Sequence, residues 1–206
     1  MSTGRLITIE GIDGAGKTTL AEALAERLSQ RGVEVVGLRE PGGVQAAERM
    51  REVVKDPDLE LGARAEALLY AAARAQLVEE AIRPLLAAGR WVLLDRFVDS
   101  SLAYQGAGRE LGVDAVRELN HFATGGLTPD RTLVLVLPPA AGRARASRRD
   151  VPPDRLEREP DAFYKRISRA YADLADSEPE RIRLLDASRE PDQVLEEALE
   201  ALADLL

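Results

Sequence analysis

The chain of 206 residues has no cysteine and a single histidine. Without cysteine there is no disulfide and no thiolate metal site, which suits a reducing compartment. One histidine, His121, cannot build a histidine metal cluster, and its place in a helical stretch marks it as structural. Aromatic residues are only 4% of the chain, and lysine is confined to positions 17, 55 and 165 against 25 arginines. No stretch approaches the roughly 20 apolar residues of a membrane span. The opening "MSTGRLITIE" carries too short an apolar run for a secretory signal. These absences lead to the expectation of a cytoplasmic protein with no membrane partner. A net charge of −8 argues against a nucleic-acid partner, which calls for a basic face. An anionic ligand would instead need locally concentrated cations.

What remains is an ordinary globular balance, 45% hydrophobic and 31% charged, of a length that fits one domain spanning residues 1–206. Five apolar, β-branched runs read as strands: Leu6 to Glu10, Val33 to Leu38, Trp91 to Asp95, Thr132 to Leu137 and Arg181 to Leu185. They are nearly continuous rather than alternating, as strands covered on both faces are. Helical stretches lie between them at Thr18–Gln30, Ala63–Ala88 with a kink at Pro84, Asp114–Ala123, Ala140–Arg148, Asp161–Asp176 and Asp192–Leu206. Strands alternating with helices predict an α/β fold, a parallel sheet flanked by helices, with ligands at the carboxyl ends of the strands. Tyr164 and Tyr171, seven apart on one helix, read as packing.

Chemistry enters at Gly11-Ile12-Asp13-Gly14-Ala15-Gly16-Lys17-Thr18, which matches G-x-x-x-x-G-K-[ST] in full between a strand and a helix. Glycines let successive backbone N–H groups point into one concavity, and the helix adds its positive dipole end. In such a loop Lys17 reaches the β/γ-phosphates of a nucleoside triphosphate and the Thr18 hydroxyl ligates Mg²⁺. The strand Trp91–Asp95 ends in an acid that can hold the same Mg²⁺ from the other side. Arg96 follows at once. From Arg143 to Arg158 the stretch "RARASRRDVPPDRLER" sets six arginines against three acids, and its two prolines forbid one continuous helix. An arginine-rich segment of about residues 143–158 fits a mobile lid closing over phosphates. The bland alternative is a solvated, charged helix end. A P-loop alone does not separate a kinase for one acceptor from a kinase for another, or from a non-kinase nucleotide switch.

Seven further marks narrow the choice: "IEGIDGAGKTT", "REPGG" at 39–43, "AAARAQ" at 71–76, "DRFVDSSLAYQG" at 95–106, "TPD" at 128–130, "DRLE" at 154–157 and "LLDAS" at 184–188. In this order, over nearly the whole chain, they resemble the thymidylate kinases, a family of P-loop nucleoside monophosphate kinases. The resemblance implies a five-stranded parallel core, Mg²⁺ and ATP, and phosphorylation of dTMP to dTDP on the route to dTTP by a homodimer, through the Ala-rich helix 63–88. It also implies roles. Asp13 faces the acceptor sugar's 3′-hydroxyl and Arg96 grips the acceptor phosphate. Arg74 bonds the pyrimidine edge, with Gln105, Ser100 and Ser101 near the base. Tyr104 occupies the place of a ribose 2′-hydroxyl, while Glu40 and Pro41 shape the acceptor loop. Thr19 and Arg145 join the P-loop in holding ATP, and the Asp186-Ala187 loop flanks adenine. Where some members carry a transition-state arginine in the P-loop, this chain has Gly14, so a lid arginine takes that role: Arg149 first, then Arg148 or Arg145. Two departures stand out: Tyr70 where phenylalanine usually stacks on thymine, and Val136 where relatives often carry an acid.

Overall fold

The computed structural model describes residues 4–147 and 155–206. Five strands form one parallel sheet: β1 (Leu6–Gly11), β2 (Val35–Arg39), β3 (Trp91–Asp95), β4 (Arg131–Val136) and β5 (Ile182–Asp186). Their order across the sheet is β2-β3-β1-β4-β5. Ile9 of β1 lies in register with Asp95 of β3 and Leu133 of β4, so the carboxyl ends of the three central strands emerge together. That edge is where the P-loop begins.

Side chains alternate across a strand, and here the alternation divides the core in two. Ile7, Ile9, Leu93, Leu133 and Leu135 face one side, with Leu24 and Leu28. These two leucines lie on helix α1 (Lys17–Gln30), which buries Leu20, Leu24 and Leu28 at four-residue spacing. Leu6, Val92 and Leu94 face the other side, with Leu77, Val78, Ile82 and Phe97. Burying both faces is why the central strands β1, β3 and β4 read as unbroken apolar runs, while the edge strands β2 and β5 are only partly covered.

The opposite face of β1 and β4 is not wholly apolar. Thr8 and Thr132 pair their hydroxyls at 2.7 Å, and Arg181 donates to both Asp99 oxygens at 2.7 and 2.9 Å. These buried groups satisfy one another, as buried polar atoms must.

The strand boundaries shift slightly from the expectation. Val33 belongs to a turn, because its N–H closes onto the Leu28 carbonyl at 3.1 Å, and β2 starts at Val35. The expected helix 63–88 is three pieces: α3 (Ala63–Leu77), a π-helical segment (Val78–Ile82) and α4 (Arg83–Ala87). Pro84 cannot donate to the preceding turn, and the wider π turn absorbs that loss. Helix α2 (Gln45–Lys55) was not expected; its sequence "QAAERMREVVK" buries only Ala47 and Val54, too few apolar positions to announce a period. A short α5 (Val98–Ser101) running into a π-helical segment (Leu102–Gly108) also went unread.

Four further helices are present among the described residues: α6 (Val113–Thr124), α7 (Pro139–Ala146), α8 (Asp161–Ser177) and α9 (Pro191–Ala201). The last is shorter than expected, since residues beyond 201 close three-residue turns, Ala203 N–H onto the Glu200 carbonyl at 3.1 Å. Among the described residues no helix is long and apolar enough to cross a membrane.

Candidate active site

One cavity of about 900 Å³ opens at the carboxyl ends of the central strands. It is lined by Asp13 to Thr19 of the P-loop and α1, by Glu40, Pro41, Tyr70 and Arg74, by Asp95, Arg96, Ser100, Ser101, Tyr104 and Gln105, and by Arg145 and Ala187. Segments dispersed over the whole sequence thus converge on one space. Gly11 and Ile12 lie behind the lining and act through their carbonyls, which accept from Lys17 Nζ at 3.2 and 2.9 Å. Asp186 turns away, accepting from its own Ser188 N–H at 2.9 Å, and it is Ala187 that reaches the cavity. Arg149 and Arg148 lie outside the described residues.

At the P-loop, Lys17 is buried, and burial together with the nearby Arg96 lowers its pKa to about 8 against the pull of Asp13 and Asp95. The Thr18 hydroxyl donates to Asp95 Oδ2 at 3.1 Å. A hydroxyl beside a carboxylate is the hard oxygen set that Mg²⁺ takes, so these two residues fit the ion. Among the described residues no three His, Cys, Asp or Glu side chains gather as a closed metal cage. A Mg²⁺ held here would therefore draw its remaining ligands from phosphate oxygens and water, its usual habit.

Gly14 packs against helix α7. A Cβ at Gly14, whose φ is +79°, would meet the Gly142 carbonyl oxygen of α7 at 2.2 Å. A Cβ at Gly142 would in turn meet the Asp13 carbonyl oxygen at 2.8 Å. Backbone packs on backbone, and a side chain at position 14 has nowhere to go. This gives a steric reason for the missing P-loop arginine.

Across the cavity Arg96 stands in the left-handed region at φ +72°, an uncommon conformation for a side-chain-bearing residue. Its N–H is held by the Ile9 carbonyl at 3.0 Å. Its guanidinium donates to Asp13 Oδ1 at 2.7 Å, to the Gly11 carbonyl at 3.1 Å and to Ser100 Oγ at 3.1 Å. Burial opposes ionisation of Asp13, but Arg96, Lys17 and Lys55 outweigh it and hold the carboxyl well below the usual range. The Tyr104 ring lies 5.0 Å from the Arg96 guanidinium and meets Phe163 edge-on at 6.1 Å, which fixes its position.

A residue not singled out from sequence underlies this turn. Glu10, fully buried, accepts from Phe97 N–H at 2.7 Å, Ser100 N–H at 3.2 Å, Ser100 Oγ at 2.5 Å and Tyr171 Oη at 2.9 Å. Burial, reinforced by Asp99, raises its pKa against these donors. Tyr171, expected only to pack, thus also anchors the site, while Tyr164 donates to the Leu156 carbonyl at 3.0 Å.

The comparisons with known proteins agree in one direction. The family profile described as thymidylate kinase matches residues 9–198. The thymidylate kinase of Deinococcus radiodurans is 48% identical over 204 residues, covering 99% of this chain and 98% of that one. That of Oenococcus oeni is 47% identical, covering 100% and 98%. A solved thymidylate kinase from Ehrlichia chaffeensis superposes with a TM-score of 0.79 at 30% identity, covering 97% and 99%. The chain belongs to the thymidylate kinase family.

Within this thymidylate kinase fold, Arg74 lines the cavity and is also held on every side by the protein. It is 1% exposed, and every one of its nitrogens is engaged by protein: Nε with Glu40 Oε2 at 2.8 Å, Nη2 with the Phe97 carbonyl at 2.9 Å, and Nη1 with Ser101 Oγ at 2.9 Å and with Asn120 Oδ1. A buried guanidinium must satisfy its donors. Its partner Glu40 keeps Oε1 without a partner among the described residues, and burial, against Arg74, raises its pKa to about 7. Helix α2 adds cations that sequence reading missed: Arg51 and Lys55, four apart on one face, join the cavity beside Arg39. The signal that could have found them is an i, i+4 pair of cations following the "REPGG" turn. Tyr70 lines the cavity half-buried, and Val136 is exposed at 47% at the end of β4.

Proposed function

We propose that this thymidylate kinase family member transfers the γ-phosphoryl group of ATP to dTMP, giving ADP and dTDP. The observation that carries the reading is the single cavity, with the P-loop and Arg96, Tyr104 and Gln105 lining the same space. A phosphate oxygen of dTMP attacks the γ-phosphorus, the bond to the β,γ-bridging oxygen breaks, and ADP leaves with that electron pair. The attacking oxygen needs no general base, because the second ionisation of a phosphate monoester lies near pH 6, at about 6. The work is positioning and charge neutralisation.

Lys17 and the loop amides hold the β- and γ-phosphates. Bound Mg²⁺ supplies charge neutralisation, with Thr18 and Asp95 as the protein residues that would hold it. Arg96 holds the acceptor phosphate and Asp13 the 3′-hydroxyl. Tyr104 closes the space a 2′-hydroxyl would need, and Tyr70 stacks on thymine. Ala187 and Arg145, joined by a 3.0 Å hydrogen bond, border the adenine end. The crowding at Gly14 supports a lid source for the transition-state arginine, with Arg149 assigned. Residues 143–158 act as the lid of a single-domain enzyme.

A cytoplasmic homodimer completes the reading. The absence of cysteine suits the compartment. The two most exposed large apolar side chains among the described residues, Phe122 at 87% and Leu68 at 57%, lie on α6 and α3, which pack together and offer a face for a second copy.

Coupled ADP release measured with Mg²⁺ and ATP across a panel of nucleosides and monophosphates tests the proposal. dTMP should be the best acceptor. Another acceptor winning would reassign the substrate, and slow hydrolysis indifferent to every acceptor would make the chain a nucleotide switch.

A further inference from the structure

Glu66 is a charged side chain with 0% exposure, and nothing above uses it. It sits on α3 at four-residue spacing before Tyr70 and Arg74, so it belongs to the helix face that borders the acceptor end of the cavity. Its Oε1 accepts from Gln105 Nε2 at 2.9 Å. Its Oε2 accepts from Arg155 at 2.7 Å and Arg109 at 3.1 Å. Arg155 also donates to the Val54 carbonyl of α2 at 3.3 Å, and Arg109 reaches Glu159 at 2.5 Å. One carboxylate therefore ties a cavity residue to Arg155 and Arg109.

The chemistry of this contact is directional. An ionised carboxylate only accepts hydrogen bonds, whereas the Gln105 amide has one accepting and one donating end. Facing Glu66, the amide must present its NH₂ group. Its Oε1 is then the atom left for other partners, together with the second N–H. A side chain that offers an acceptor with an adjacent donor matches the imide edge of thymine, where N3–H donates and O4 accepts. It mismatches cytosine, whose N3 accepts and whose 4-amino group donates.

We infer that Glu66 is a positioning residue for base selection, setting the polarity of the Gln105 amide so that the pocket takes a keto pyrimidine and refuses an amino pyrimidine. The inference rests on the dTMP reading of the site. The two arginines hold the Glu66 carboxylate in place, and it acts on the base only through Gln105.

The test is the ratio of kcat/KM for dTMP to that for dCMP. Glu66→Gln, which can donate as well as accept, lets the Gln105 amide invert, and the ratio should fall about tenfold or more, since hydrogen-bond mismatches carry large discrimination. Glu66→Asp keeps an acceptor-only group and should retain most of the ratio. Gln105→Met should lose it as well, and adding Glu66→Gln to Gln105→Met should lower it no further, because both act through one amide. A lower melting temperature with an unchanged ratio in Glu66→Gln would reduce Glu66 to a structural ion pair and overturn the inference while leaving the dTMP reading intact. Should Glu66→Gln not fold, an unchanged ratio in Gln105→Met would overturn it. Wild-type protein that fails to prefer dTMP over dCMP would overturn both.

Discussion

Arg96 and Asp13, eighty-three residues apart, form an ion pair of 2.7 Å inside one cavity. The residue after the β3 acid and the acid within the P-loop are thereby held as a unit. Arg96, Lys17 and Lys55 together keep Asp13 ionised against its burial, so it is a carboxylate at any working pH and serves as an acceptor and not as an acid.

This yields the first prediction. Asp13→Asn removes the charge that balances Arg96 and weakens the grip on a sugar hydroxyl. kcat/KM for dTMP should fall about 10- to 100-fold, the range of a lost charged hydrogen bond. The loss with the 3′-deoxy analogue should be smaller. Equal losses with both acceptors would remove the sugar contact from the account.

Lys17 gives the second. Its pKa of about 8 lies below the usual 10.5 for lysine, so the ammonium predominates at neutral pH and is lost as pH climbs through 8. kcat/KM for ATP, which reports the free enzyme, should therefore decline above pH about 8. kcat reports the bound complex, where phosphate oxygens favour the ammonium, and should hold to higher pH. Stopped-assay profiles from pH 6 to 10 check this. A kcat/KM profile flat to pH 10 would contradict it.

The Gly14–Gly142 contact gives the third. Gly142→Ala puts a Cβ 2.7 Å from Ile12 Cδ1 and 2.8 Å from the Asp13 carbonyl oxygen. Overpacking of this kind costs about 1–3 kcal/mol. The melting temperature should drop, and KM for ATP should rise because the P-loop has to move. An unchanged KM would show that α7 yields instead of the loop.

Glu10 gives the fourth. Glu10→Ala leaves the Phe97 and Ser100 N–H groups buried without acceptors, at about 1–3 kcal/mol each. Thermal unfolding should show a loss of several kcal/mol, and KM for dTMP should rise as Arg96 loses its support. Tyr171→Phe removes one donor to Glu10 and should cost about 1 kcal/mol with little change in KM. Tyr171→Phe matching Glu10→Ala in both measures would place the weight on the hydroxyl instead.

Glu10 also shows where sequence reading stops. The P-loop was legible because its spacing is a covalent fact that backbone geometry must obey. The central strands were legible because burial on both faces leaves an unbroken apolar run. Glu10 ends such a run, and nothing local tells a buried carboxylate with four donors from a solvated turn cap, since its partners lie 87 to 161 positions away. The same holds for Glu66, whose three partners come from other elements. Helix α2 was missed for a different reason: with two buried residues it depends on packing against α3 more than on its own period. Arg74 lines the cavity, but the count of its donors already engaged needed the fold. Arg149 falls outside the described residues, and kinetics of Arg149→Ala against Arg145→Ala test the transition-state role proposed for it.

The central claim is transfer between two nucleotides in one cavity. Following γ-³²P-labelled ATP in the presence of dTMP and Mg²⁺ tests it directly. The account predicts label in dTDP in one-to-one amount with ADP formed. ADP formed with label only in inorganic phosphate, at a rate indifferent to dTMP, would contradict it.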